Sequence, residues 1–361
     1  MIHKYSQLLL LLIAILQYTA TAKRISSNSV IVSLQLNLNS VQHAGLHACN
    51  GVNITSDLNS DWNVSQTIYA VQLDPVADMS VVDQLLVFAC YEPGYYAPVW
   101  RCGGTPSDLF VSRTPCLKFG KVIYSWGRNV PGLKLPSGTG IPVGPQVNLT
   151  SLVLQVQYAA KLSTFGMSHD YPACYHRKDA ENPSVQITLT SKPMKRQAGM
   201  ILLQSGGRIL NQSADTFDIK CSVDIENPVT PVAFSVHSRG LGRIVSGYVV
   251  RNRTWHLIGK QSPALPQQFY PVKNKNLRIQ HGDYLVARCY MVNPTNDIIR
   301  AGSGIANERC QFYIQYSLLS SVPSPKFHGC YSPGPPYYYW DDSRSELGTP
   351  PVDSVHLDLF V

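Results

Sequence analysis

Apolar and polar residues alternate along Val30-Ile-Val-Ser-Leu-Gln-Leu-Asn-Leu38, the period of a β-strand that buries one face. Shorter runs of the same kind are Leu85–Cys90, Leu152–Tyr158, Val185–Leu189, Ile201–Leu203, Ala233–His237, Gly247–Val250, Leu285–Met291 and Gln311–Leu318. Turn formers punctuate them, as at Pro131-Gly132, Pro136-Ser-Gly138 and Gly282-Asp283. No window of a dozen residues sustains a helical stripe. The chain is therefore predicted to be all-β, and its 361 residues suffice for two tandem antiparallel β-sandwich domains. Charged residues make up only 14% of it, which with 20 Tyr, 25 Pro and 25 Gly argues against a coiled coil or a highly charged disordered chain. The net charge of +8 is spread without basic blocks, so no nucleic-acid partner is indicated.

Residues 1–22 read as a signal peptide: Lys4, an apolar run from Leu8 to Leu16, then Ala20-Thr21-Ala22. That run is too short for a membrane anchor, so the expected location is secreted or in the lumen of the secretory pathway. Five glycosylation sequons begin at Asn53, Asn63, Asn148, Asn211 and Asn252. Nine cysteines in an oxidising compartment imply disulfides, and none forms a Cys-x-x-Cys pair. Cys49, Cys90, Cys102 and Cys116 form one group and Cys221, Cys289, Cys310 and Cys330 another, with Cys174 between them. The grouping suggests separately stapled domains, 23–190 and 191–330, joined near Ser191–Arg196. Residues 331–361, rich in Pro and Tyr, read as a tail without a packed role.

From about residue 45 to 330 the chain resembles the copper type II, ascorbate-dependent monooxygenase family, and within it the peptidylglycine α-hydroxylating monooxygenases. The most specific stretches are Gly242-Arg-Ile-Val-Ser-Gly-Tyr-Val-Val-Arg-Asn252 and Trp255-His-Leu-Ile-Gly-Lys-Gln-Ser-Pro-Ala-Leu-Pro-Gln-Gln-Phe-Tyr-Pro-Val272. Tyr124-Ser-Trp-Gly-Arg-Asn129, Leu135-Pro-Ser-Gly138, Leu154-Gln-Val-Gln-Tyr158 and Gly282-Asp-Tyr-Leu-Val-Ala-Arg-Cys289 match as well. The resemblance implies two jelly-roll domains with an open interdomain cleft. It also implies two copper ions and ascorbate: one copper on three His of the first domain, the other on two His and a Met of the second. Such a site would hydroxylate the Cα of a C-terminal glycine.

The ligand positions themselves depart from that pattern. Where the family has His-His-Met-x-x-Phe-x-Cys, this chain has Asp83 and Gln84 in place of the two His; Gln157 replaces the third, in Val-His-Tyr. His-Thr-His becomes His237-Ser-Arg239, and the Met before a cysteine becomes Arg309. No His occurs between His47 and His169. Of the peptide-carboxylate anchors, Arg is replaced by Ser235 and Asn by Gln311, while Tyr313 survives. Carried over by position, the disulfides would be Cys49–Cys102, Cys90–Cys116, Cys221–Cys330 and Cys289–Cys310, leaving Cys174 unpaired and open to linking a dimer.

His237 reads first as a hydrogen-bonded core residue. Met167, His169, Cys174 and His176 share a loop but match no metal-ligand spacing. Arg239 and Arg309 call for a nearby carboxylate, an anion or an acidic partner, unless both extend into solvent, the reading favoured on sequence alone. The expected function is that of a secreted pseudoenzyme with no cofactor, binding an unknown protein, peptide or anionic ligand. An active copper monooxygenase with unrecognised ligands, and a structural or oligomer-forming glycoprotein, are the alternatives.

Overall fold

The computed structural model describes residues 21–36, 47–57, 66–103, 113–158, 182–304 and 307–356. These fall into two compact units. The first comprises residues up to Ser125 with Pro131–Leu135 and Pro142–Pro193, the second Trp126–Val130, Pro136–Ile141 and residues from Met194 onward.

The strands up to residue 190 are β1 (Thr21–Ser26), β2 (Ser29–Gln35), β3 (His47–Asn53), β4 (Ile68–Val76), β5 (Val82–Cys90), β6 (Trp100–Arg101), β7 (Gly120–Trp126), β8 (Leu133–Lys134), β9 (Thr139–Val143), β10 (Ser151–Tyr158) and β11 (Ser184–Thr190). One layer runs β1-β2-β11-β4, with β8 against β4; the other runs β6-β3-β10-β5-β7. The alternation in β2 does what its period requires: Val30, Val32 and Leu34 are buried while the residues between them are not. Cys49–Cys102 and Cys90–Cys116, with Cα atoms 5.7 and 5.4 Å apart, pack with Trp100 and Val153. Thr21 and Ala22, at the end of the expected leader, pair with Ser33 and Val32.

The second unit is built from β12 (Arg196–Ile209), β13 (Ser213–Ser222), β14 (Thr230–His237), β15 (Gly242–Arg251), β16 (Thr254–Gln261), β17 (Tyr270–Pro271), β18 (Tyr284–Asn293), β19 (Ile299–Ala301), β20 (Cys310–Leu319) and β21 (Gly329–Pro333). One sheet runs β12-β20-β14-β17, with β19 and β21 also on β12; the other runs β13-β18-β15-β16. Between them lie Leu203, Phe234, Val236, Phe312 and Ile314 from the first, and Phe217, Ile219, Val245, Val249 and Leu285 from the second. Each such side chain contributes about 1.5–3 kcal/mol on burial. Cys221–Cys330 and Cys289–Cys310 staple this unit. The four disulfides are the pairing that the resemblance implies. Among the described residues no helix is long and apolar enough to cross a membrane.

The segment read as a loose tail is packed. Its β21 runs parallel to β12, from Leu202 opposite Gly329 to Gly206 opposite Pro333. Beyond it, Trp340 is fully buried with Tyr248, Val250, Val286 and Leu347 on the outer face of the β13-β18-β15-β16 sheet. The Trp340 amide donates to Asp218 Oδ2 at 2.7 Å and its indole to the Ile219 carbonyl at 3.1 Å. Arg288 forks onto Asp218 (2.6 and 2.7 Å), with its guanidinium 4.2 Å from the Trp340 ring centre. Tyr and Trp pair a large apolar face with a polar tip, which suits them to cover a sheet that carries both kinds of group. A Pro- and Tyr-rich composition therefore hid a third layer.

Candidate functional site

The first-site positions lie on neighbouring strands in register. Gln157 on β10 faces Gln84 on β5, and on its other side faces His47 on β3. Residues paired across a sheet share a face, so three polar side chains form one row. All are buried, Gln84 at 0%, His47 at 2% and Gln157 at 5% exposure. Gln84 Nε2 donates to Ser125 Oγ at 3.3 Å, Gln157 Nε2 to Gln155 Oε1 at 3.1 Å, and Gln155 Nε2 to the Cys102 carbonyl at 3.2 Å. Asp83 precedes Gln84 on β5 and is half-buried. His47 is the member that sequence matching does not assign to the site, because only strand register brings it there.

The second-site positions occupy one face of β14 and β20. Ser235 pairs with Tyr313 and His237 with Gln311. Phe234, Val236, Phe312 and Ile314, which alternate with them, point into the apolar core, so the polar four lie on the opposite face. All four are buried. Tyr313 donates its hydroxyl to Gln311 Oε1 at 2.9 Å, so the two anchor candidates satisfy each other.

The proton on His237 Nδ1 follows from its neighbour. Gln267 Nε2 donates to the carbonyls of Ser238 and Pro263, both at 3.0 Å, which fixes the amide group. Its Oε1 therefore faces His237 and accepts from Nδ1. Ser235 Oγ donates to the Gln267 carbonyl at 2.9 Å. Gly127 lies against this pair: a Cβ there would stand 2.9 Å from Gln267 Oε1 and 3.2 Å from His237 Nδ1. The same loop carries Arg128, whose Nη2 reaches the Arg239 carbonyl at 2.5 Å.

Arg309 does not extend into solvent as the sequence reading favoured; it is 3% exposed. Its Nη1 donates to the carbonyls of Gly302 and Gly304. Arg239, partly buried, donates from Nη1 to the Asn307 carbonyl at 2.9 Å. A carboxylate does lie close by, Glu308, buried at 5% exposure, but its hydrogen bonds go to backbone amides and a serine hydroxyl. It accepts the amides of Arg239 (2.5 Å), Gly240 (2.9 Å), Leu241 (2.8 Å) and Arg309 (2.7 Å), and the Ser238 hydroxyl at 3.2 Å. Glu308 went unread in the sequence, where its signal was only adjacency to Arg309.

The donor sets do not fit two catalytic coppers. The first row offers one imidazole among carboxamides; the second set of positions offers one imidazole, whose Nδ1 is committed to Gln267, and two guanidinium groups held on backbone carbonyls. Copper cycling between its oxidation states needs several imidazole or thioether donors. Among the described residues, no three His, Cys, Asp or Glu side chains gather where they could hold one metal ion. Met167, His169, Cys174, His176 and the sequon at Asn63 lie outside the described residues. Asn148, Asn211 and Asn252 are exposed, and Asn53 is half-buried.

Residues 34–164 match the family described as copper type II ascorbate-dependent monooxygenase, N-terminal domain, and residues 196–343 match its C-terminal domain. The peptidylglycine alpha-amidating monooxygenase of Rattus norvegicus is 33% identical over 257 residues, 70% of this chain and 24% of that protein. The peptidyl-glycine alpha-amidating monooxygenase A of Xenopus laevis is 31% identical over 276 residues, 76% of this chain and 27% of the relative. The chain thus spans about a quarter of the length of these relatives. Among solved structures the PBCV-1 virus capsid aligns at 10% identity and a TM-score of 0.23, over 85% of this chain and 99% of that one, too low to bear on fold.

Proposed function

The chain belongs to the copper type II ascorbate-dependent monooxygenase family, and from that premise we propose that it acts by binding, without the copper chemistry of its relatives. The observation that carries this reading is the pair of guanidinium groups at second-site ligand positions, with Arg309 buried and hydrogen-bonded to Gly302 and Gly304. Arginine stays protonated at every physiological pH and has no lone pair to offer a metal. A cation brought within about 4 Å of one would meet repulsion of ~4 kcal/mol per unit charge at an effective dielectric of 20. The paired carboxamides at the first site support the same conclusion. Peptidyl-glycine recognition would also lack its cation, since Ser235 cannot fork onto a carboxylate as Arg does.

The test is copper content after loading, together with hydroxylation of a glycine-extended peptide in the presence of ascorbate and oxygen. Substoichiometric copper and no hydroxylated peptide are expected; stoichiometric copper or turnover overturns the reading. The protein is proposed to be secreted and glycosylated; the four disulfides support an oxidising compartment, and the N-terminal sequence reads as a leader. Pull-down and size analysis of the native protein distinguish a binding role from a purely structural or oligomer-forming one. Non-reducing electrophoresis of wild type and Cys174→Ser tests the proposed dimer, which a monomeric wild type would remove.

A further inference from the structure

We propose that the cleft where the C-terminal segment crosses the outer face of β13 and β18 binds a neutral saccharide. The cleft measures about 550 Å³, and its lining includes Lys220, Tyr284, Tyr331, Tyr337, Tyr338 and Glu346. That volume lies within the usual range for small-ligand sites. The tyrosines divide by burial. Tyr338 and Tyr284 are partly buried and hydrogen-bonded, to Ser343 Oγ at 3.3 Å and Glu346 Oε1 at 3.4 Å. Tyr331 and Tyr337 are 57% and 74% exposed, so their rings are surface that folding has left in water beside a cleft.

The polar groups decide which ligand such rings would suit. Lys220 Nζ pairs with Glu346, lies 3.3 Å from Ser343 Oγ and stands 5.0 Å from the centre of the Tyr284 ring. The two charges offset each other, so the pair presents no net charge to draw in an anion or a cation. A purely apolar ligand would strip water from that pair and return no hydrogen bond. A pyranose satisfies both demands: its C–H face packs on an aromatic ring, and its hydroxyls donate to carboxylate and accept from ammonium and phenol groups. The composition of the site is therefore that of a neutral sugar subsite, built from residues that play no part in the copper-derived positions.

The full-length glycoprotein can be titrated calorimetrically with hexamers of glucose, mannose and N-acetylglucosamine, and with a heparin hexasaccharide as the charged comparison. At least one neutral hexamer is expected to bind at millimolar concentration or better. Tyr331→Ala and Tyr337→Ala should each weaken it about tenfold, a change of about 1.4 kcal/mol, with the wild-type melting temperature retained; Tyr337→Trp should keep binding. The proposal is overturned if no neutral hexamer binds, if only the heparin fragment does, or if both alanine variants bind as wild type does.

Discussion

A guanidinium cannot be titrated away, so Arg239 and Arg309 determine this site more firmly than the glutamines do. Arg239→His with Arg309→Met restores the imidazole and thioether that the family has at these two positions, alongside His237. The double variant should take up copper that wild type does not, read as a Cu(II) paramagnetic signal. Its melting temperature should fall, because the carbonyls of Gly302 and Gly304 lose their buried donor at about 1–3 kcal/mol each. No gain of copper would show that more than ligand type has been lost. Gly127 sets a second limit: in Gly127→Ala the new Cβ would push on Gln267 Oε1 and loosen its grip on His237, so the His237 ring resonances should shift by NMR. In the first unit, burial lowers the Lys121 ammonium from 10.5 to about 8. Below about pH 8 it is charged in both folded and unfolded chains, and the burial cost of about 3 kcal/mol, at ~1.36 kcal/mol per pH unit, is present in full. Between pH 8 and 10.5 the unfolded chain holds the proton longer, so stability rises with pH, and above 10.5 the cost is gone. Lys121→Met should therefore raise stability at pH 7 and lose that advantage above pH 10.5, as denaturant melts across pH would show.

At the scale of elements, the C-terminal segment is the part whose removal should cost most. Trp340→Ala should destabilise the second unit by about 3–5 kcal/mol, the usual cost of emptying a buried aromatic site. It would also leave Arg288 without its ring and Asp218 without a backbone donor held in place. Amide exchange on β13, β15 and β18 should then quicken, while β3, β5 and β10 stay protected. Composition hid this segment, and the reasons are specific. β2 was legible by its clean alternation, and β5, β10 and β20 by short apolar runs. Only Ile201–Leu203 of the long β12 could be read, since Gly199 breaks the pattern; its missing side chain makes room for the Tyr316 hydroxyl, 2.2 Å from where a Cβ would lie. In β13, Asp218 and Lys220 look like a solvated face, but they hold the C-terminal segment through Trp340 and Glu346. The substituted ligand positions were legible one by one. That Gln84, Gln157 and His47 form a row was not, because register is a property of paired strands and no single strand carries it.

For the molecule as a whole, the division into units is not a single cut in the chain. Trp126–Val130 and Pro136–Ile141 belong with the unit that otherwise begins at Met194. Thr139 and Gly140 pair in parallel with Arg196 and Gln197, and the Arg196 amide donates to the Gly138 carbonyl at 3.0 Å. Arg128 supplies the donor to the Arg239 carbonyl, and Gly127 lies against Gln267 and His237. A chain begun at Met194 keeps Cys221–Cys330 and Cys289–Cys310 but loses all of these contacts. Two disulfides restrict its unfolded state by about 2–4 kcal/mol each, so the fragment should still collapse and oxidise correctly. Its β12 edge would nevertheless expose backbone groups that the intact chain pairs, and the loop over His237 would be gone. The expected result is a folded fragment with a lower melting temperature than the second transition of the intact chain. Its Arg196 and Gln197 amides should exchange fast, and its His237 resonance should be shifted. A fragment as stable as the intact chain, with those amides still protected, would show that the two inserted segments contribute nothing to the unit they pack into.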